Sequence, residues 1–131
     1  MRAFIAHSFA HTAQQQAVLH ELFAVLDAYG IQGFSFVLSY PAYPKGSEKE
    51  MMQDALKELS SSDLLIAEVS NKEVGVGLEV GYAKAKGIPI VYLRHEESEY
   101  SKTVGGVADD QLVYKGGDLS ELLAPVIEKW T

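Results

Sequence analysis

The sequence predicts an α/β sandwich of three layers, and two patterns predict it. Short apolar runs alternate with longer segments of helical periodicity along the whole chain, which requires parallel strands with helices on both faces of the sheet. The run Asp63–Val69 (DLLIAEV) is almost wholly apolar, as a strand covered on both faces should be. With right-handed crossovers, five such strands suit the order 2-1-3-4-5 of flavodoxin/Rossmann-like folds.

The elements follow in order. Arg2–His7 is a short apolar first strand. Thr12–Tyr29 is a helix, because Val18, Leu19, Leu22, Phe23, Val25 and Leu26 recur at the helical period and Gly30 stops it. Gly33–Leu38 (GFSFVL) is expected to be the second strand, and Ser39–Lys45 (SYPAYPK) a loop, since its prolines and tyrosines suit no regular element. Ser47–Leu59 is a helix whose Ser47 and Glu50 have the spacing of a capping box. Asp63–Val69 is the third strand, Val76–Lys86 a helix closed by Gly87, and Ile88–Leu93 (IPIVYL) the fourth strand. Gln111–Tyr114 is a short fifth strand and Ser120–Lys129 the last helix.

Composition narrows the chemistry. The 131 residues fit one domain over 1–131, with 47% hydrophobic and 22% charged residues. The lack of cysteine removes thiol nucleophiles, disulfides and zinc ribbons, and suits a reducing, cytoplasmic setting. The N-terminus has no long apolar run, so neither a signal peptide nor a membrane span is expected. A net charge of −7 argues against nucleic-acid polymers but leaves room for one small nucleotide.

In a sheet of this order, ligands bind beyond the carboxyl ends of the strands, where strands one and three diverge. The segments expected there are His7–His11, Ser70–Glu79 and Ser39–Gly46. The richest is Glu68–Ala83 (EVSNKEVGVGLEVGYA), in which a buried strand runs through a loop into a glycine-opened helix. Gly75 and Gly77 leave backbone open to a ligand, and Gly77 with Gly81 bares a helix face that can lie against a sugar or the sheet. Glu79 falls in the first turns. The helix N-terminus would favour its carboxylate, whereas a dry pocket wall would favour the neutral acid. From spacing alone, an ordinary solvent-facing helical glutamate is the favoured reading of Glu79.

Other chemistries fail on their own requirements. The G-x-G-x-x-x-G run follows the third strand, not the first, and no acidic residue closes a following strand, so NAD binding is excluded. Strand one ends Ala6-His7-Ser8-Phe9 without a carboxylate for Mg²⁺, and Ser8–Thr12 has no glycine for a phosphate nest. Ser8 as the nucleophile of an elbow lacks the right strand, and a His7–His11 metal pair is less favoured than two hydrogen-bonding histidines. No cofactor or metal is therefore expected. Carboxylates are the abundant reactive groups, namely Asp54, Glu68, Glu73 and Glu79, and glycosidic chemistry needs one to engage the anomeric carbon and one to protonate the leaving group. Tyr40 and Tyr43 offer rings on which a base could stack, or simply pack the loop onto the domain.

Residues 62–83, SDLLIAEVS followed by GVGLEVGYA, resemble the nucleoside 2-deoxyribosyltransferase superfamily, and in particular the deoxynucleoside 5′-monophosphate N-glycosidases. The resemblance implies cleavage or transfer at the N-glycosidic bond of a small-molecule nucleoside or nucleotide. It makes Glu79 the nucleophile on C1′, matches Ser8 to the serine of the first loop, and implies a homodimer. Tyr100–Gly106 is similar to the segment whose serine, here Ser101, contacts the substrate phosphate, often from the partner subunit. The departures are equally specific. Ala10 stands where the nucleotide hydrolases carry a phosphate-binding Arg, and Glu73 where they carry a Ser; the transferases place an Asp there. These changes point to an unphosphorylated or otherwise altered substrate. Phe4 replaces a Tyr that orients the nucleophile. The Asp of the second helix falls on Ala55 by ungapped count, with Asp54 one residue away. The losses leave a binding module without turnover as the alternative.

Overall fold

The computed structural model describes residues 1–8, 12–40 and 42–131. Phe9, Ala10, His11 and Pro41 lie outside the described residues, and with them the proposed His7–His11 pair and the Ala10 substitution. In chain order the elements are β1 (Arg2–Ala6), α1 (Ala13–Ala28), β2 (Gln32–Phe34), α2 (Phe36–Ser39), α3 (Glu48–Ser60), β3 (Leu64–Glu68), α4 (Val74–Lys86), β4 (Ile90–His95), α5 (Lys102–Gly105), β5 (Asp110–Tyr114) and α6 (Leu119–Trp130). The strands form one five-stranded parallel sheet in the order β2-β1-β3-β4-β5, as the sequence predicts.

Alternation along the strands divides the apolar residues between two cores. Ala3, Ile5, Leu64, Ile66, Val91 and Leu93 face α1 and α6. Phe4, Ala6, Leu65, Ala67, Ile90 and Tyr92 face α3 and α4. Burying each of the larger aliphatic side chains contributes roughly 1.5–3 kcal/mol, so the two layers of helices are held by apolar contact more than by the few surface ion pairs. Gly87, with φ 73°, closes α4 in the left-handed conformation.

Two local expectations are corrected, and one element was not foreseen. Residues Phe36–Ser39 do not continue the second strand. Ser35 accepts the N–H of Leu38 on its Oγ at 3.2 Å and turns the chain into α2, so the edge strand stops at Phe34. The Ser47–Glu50 capping box does not form. Ser47 has φ −101° and ψ 25°, not the extended conformation that aims a cap hydroxyl at the helix, and the Gly46 N–H donates instead to Glu48 Oε1 at 3.3 Å. A short helix not anticipated, α5, follows Ser101, whose Oγ accepts the Val104 N–H at 3.3 Å.

No helix among the described residues is long and apolar enough to cross a membrane.

Candidate active site

Strands β1 and β3 end side by side, and the chain leaves them in opposite directions. Between the segments that follow lies a cavity of about 450 Å³ on the α3/α4 face of the sheet, within the size range of small-molecule sites. Its wall is largely apolar, with polar groups from His7, Glu73 and Glu79.

Glu79 reaches the cavity because of how α4 is seated. Val76, Val80 and Ala83 are buried against the sheet. Gly75 and Glu79, one turn apart, line the cavity. Gly77 and Gly81 look outward, where an added Cβ would meet nothing within 4 Å. The bare glycine face therefore lies neither against the sheet nor in the cavity, because the valines already hold the sheet side. Of the two glycines expected at the ligand, Gly75 lines the cavity and Gly77 does not.

The Glu79 carboxyl is half-buried and meets no hydrogen-bond or ionic partner among the described residues. Burial pushes its pKa up to about 7. Of the two opposed expectations the dry wall prevails, since Glu79 is the sixth residue of α4 and the helix-terminal field fades beyond the first turn. Glu73 occupies the N-cap position of α4, makes no side-chain cap and lines the same cavity.

His7, which opens the first of the segments expected at the site, lines the cavity, although its sequence context suggests no role there beyond that of a hydrogen-bonding or metal-binding histidine. Its Nδ1 lies 2.6 Å from the Ser8 carbonyl oxygen and its Nε2 2.7 Å from Ser35 Oγ. A carbonyl only accepts, so Nδ1 carries the proton and Nε2 accepts from the serine hydroxyl. Burial lowers the pKa of the ring, so His7 is neutral at pH 7. Its position at the end of a strand leading to the switch point was the available signal.

The opposite wall comes from α2, the following loop and α3. Phe36 and Tyr40 stack with centroids 4.3 Å apart, and Tyr43 continues the stack at 6.4 Å from Tyr40. All three rings line the cavity. The Tyr43 hydroxyl donates to Asp54 Oδ2 at 2.6 Å, and burial together with that bond raises its pKa. Asp54 itself does not line the cavity, whereas its neighbour Ala55 does. Met51 and Met52 complete this wall; their spacing with Ala55 was visible, but a methionine pair on an amphipathic helix signals core as readily as pocket.

The remaining expected residues lie elsewhere. Ser8 is buried, and its Oγ accepts from Gln15 Nε2 at 2.7 Å, facing a much smaller void of about 10 Å³ that Glu68 also lines. Ser101 is buried as the cap of α5, its N–H donating to the Tyr92 hydroxyl at 2.8 Å, outside the cavity of its own chain. Phe4 is a core residue packed on Phe34 and offers no hydroxyl to Glu79.

These features define a doubly wound α/β protein whose pocket, at the switch point of its sheet, pairs a carboxyl that has no partner among the described residues with an aromatic wall. The chain belongs to the nucleoside 2-deoxyribosyltransferase family, whose model matches residues 3–121. The family comprises enzymes acting at the N-glycosidic bond of nucleosides or nucleotides. A protein of Syntrophotalea carbinolica, named as a candidate 2′-deoxynucleoside 5′-phosphate N-hydrolase, is 49% identical over 41 residues, which span 31% of this chain and 29% of that relative. Two solved structures share the fold. The 2-deoxyribosyltransferase of Bacillus psychrosaccharolyticus has a TM-score of 0.76 at 14% identity, over 97% of this chain and 96% of that one. The CMP N-glycosidase of Clostridium botulinum has a TM-score of 0.65 at 19% identity, over 98% and 99%.

Proposed function

We propose that the chain cleaves or transfers the N-glycosidic bond of a nucleoside, with Glu79 as the nucleophile. The observation that carries this reading is the Glu79 carboxyl itself, without a partner among the described residues, in a cavity large enough for a nucleoside and walled by stacked rings. In the first step a carboxylate oxygen bonds to C1′ while the C1′–N bond breaks and its electron pair passes to the base. Water or a second base then attacks C1′ and releases the carboxylate. Tyr40 and Tyr43 hold the base, and Glu73 sits beside the sugar. For a neutral base, Asp54 or Glu73 supplies the proton that the departing nitrogen needs.

Purified protein incubated with a panel of nucleosides and 5′-monophosphates, with free base read by chromatography, tests the reading. Wild type should release base from at least one member, and Glu79→Gln should lose about 10³-fold or more. Equal release by the Gln variant would remove Glu79 from the mechanism.

A second reading, binding without turnover, is favoured by Ala55, which puts a methyl group on the cavity wall where the resemblance calls for an acid, and by the buried Phe4. It expects saturable heat on titration with nucleoside and no free base. Release of base excludes it.

A further inference from the structure

Resting on the proposed glycosidic chemistry, we propose that the preferred substrate is an N-glycoside whose base already carries a positive charge at the glycosidic nitrogen, of the pyridinium-nucleoside class. Three independent features of the cavity select for such a base.

The first is charge. Glu73 and Glu79 line the cavity, and among the described residues no Lys or Arg does. The four residues outside the description, Phe9, Ala10, His11 and Pro41, add neither. His7 is held as a neutral acceptor by its bonds to Ser8 and Ser35. A site with two acidic side chains and, among the described residues, no Lys or Arg attracts a cationic ligand, whose charge in turn favours ionised Glu79, and repels a phosphate.

The second is the aromatic wall. The Phe36, Tyr40 and Tyr43 rings are nearly parallel, with interplanar angles of 25° between Phe36 and Tyr40 and 14° between Tyr40 and Tyr43. Their electron-rich faces favour a flat cation over a neutral ring of the same size.

The third is the poverty of proton donors. The Tyr43 hydroxyl is committed to Asp54, which accepts it at 2.6 Å. The proton of His7 is committed to the Ser8 carbonyl. Met51, Met52 and Ala55 have none to give, which leaves only the Tyr40 hydroxyl, a weak acid made weaker by burial, and the Glu73 carboxyl among the described lining residues. A neutral nucleoside leaves as an anion unless its base is protonated. A pyridinium base leaves neutral: a Glu79 oxygen bonds to C1′, the C1′–N bond breaks, and the pair quenches the positive charge on nitrogen. Water then attacks C1′, Glu79 departs as carboxylate, and one proton goes to solvent. The balance needs no acid in the first step.

The test uses the intact chain with nicotinamide riboside, its reduced neutral dihydropyridine form, 7-methylguanosine as a second cationic base, guanosine, 2′-deoxycytidine, and nicotinamide mononucleotide. Free base is measured by chromatography after subtraction of buffer hydrolysis. The expected kcat/KM for nicotinamide riboside exceeds those for its reduced form and the neutral nucleosides by about 100-fold, and that for the mononucleotide by about 10-fold. Glu73→Gln should shrink the preference over neutral nucleosides by roughly 3–10-fold, chiefly through KM of the cationic substrate. A purinium preference without pyridinium cleavage would overturn the pyridinium assignment. Neutral nucleosides cleaved as fast as the cationic ones, with Glu79→Gln inactive, would overturn this inference and leave the proposed function standing. No release from any compound would overturn both.

Discussion

Two carboxylates stand near the carboxyl edge of the same sheet, and the protein treats them oppositely. Glu68 ends β3 on the α1/α6 side, 3% exposed. It accepts the Ser70 N–H at 3.0 Å, the Ser70 hydroxyl at 2.6 Å and the Tyr114 hydroxyl. Ser70 Oγ in turn accepts the His95 N–H at 2.9 Å, which ties β3 to β4 and β5. Glu79, across the sheet, has a cavity in place of partners. A buried carboxylate with its donors supplied is part of the architecture. One that is desolvated beside a cavity, with no donors among the described residues, costs the fold without a structural return, which is the environment the proposed role at a ligand calls for. Residue type and spacing alone did not separate the two, since both are glutamates next to apolar residues; the family resemblance did, by assigning the nucleophile to Glu79.

The contrast breaks first at Tyr114. Tyr114→Phe removes one donor from a buried carboxylate and should cost about 1–3 kcal/mol in urea unfolding. Base release, measured where the variant is folded, should stay within about threefold of wild type, as expected of a group remote from the reaction. If the variant loses base release while its unfolding midpoint holds, Glu68 belongs to the chemistry and the division between the two faces fails.

Titration sharpens the other side. The folded pKa of Glu79 is raised to about 7, while an unfolded glutamate ionises near about 4.3. The fold favours the neutral acid, so the contribution of Glu79 to stability is present below the unfolded pKa and is lost as pH rises through about 7. Glutamine carries no such penalty. Glu79→Gln should therefore match wild type near pH 4 and melt on the order of a few °C higher at pH 8. Wild-type kcat/KM should rise with pH around a midpoint near 7 as the nucleophile ionises. A melting difference independent of pH would show that the Glu79 carboxyl is not desolvated.

The fold was legible because it rests on long-range regularity: apolar strands, helical periodicity and the order that crossovers permit. What escaped the sequence was decided locally. A serine at position 35 turned an expected strand into α2, and with it swung Phe36 and Tyr40 onto the cavity wall. The Glu79 block was legible as a strand-to-helix junction, yet its burial depends on the neighbours Met51, Met52 and Ala55, which come from another helix. Gly77 was misplaced for a related reason: spacing assigns residues to a common face, but only the packing of Val76 and Val80 decides which way that face looks. Ser101 was singled out for a ligand and is found capping a helix, a role its sequence context also allows.

Asp54 carries the smallest expected effect and the sharpest question about the aromatic wall. Its carboxylate accepts from Tyr43 at 2.6 Å and does not line the cavity, so its evident work is to fix the ring that does. If that is all, Asp54→Asn should raise KM about threefold with kcat within about twofold, and Tyr43→Phe should do much the same, because each removes one half-buried hydrogen bond. The two changes should then be non-additive in the double variant, since either alone frees the ring. A general acid behaves differently. Its loss would lower kcat on neutral nucleosides by about 100-fold, leave a cationic nucleoside untouched, and abolish an alkaline limb in the pH profile. That pattern would make Asp54 a proton donor reaching past Tyr43, and the wall opposite Glu79 would join the reaction it otherwise only frames.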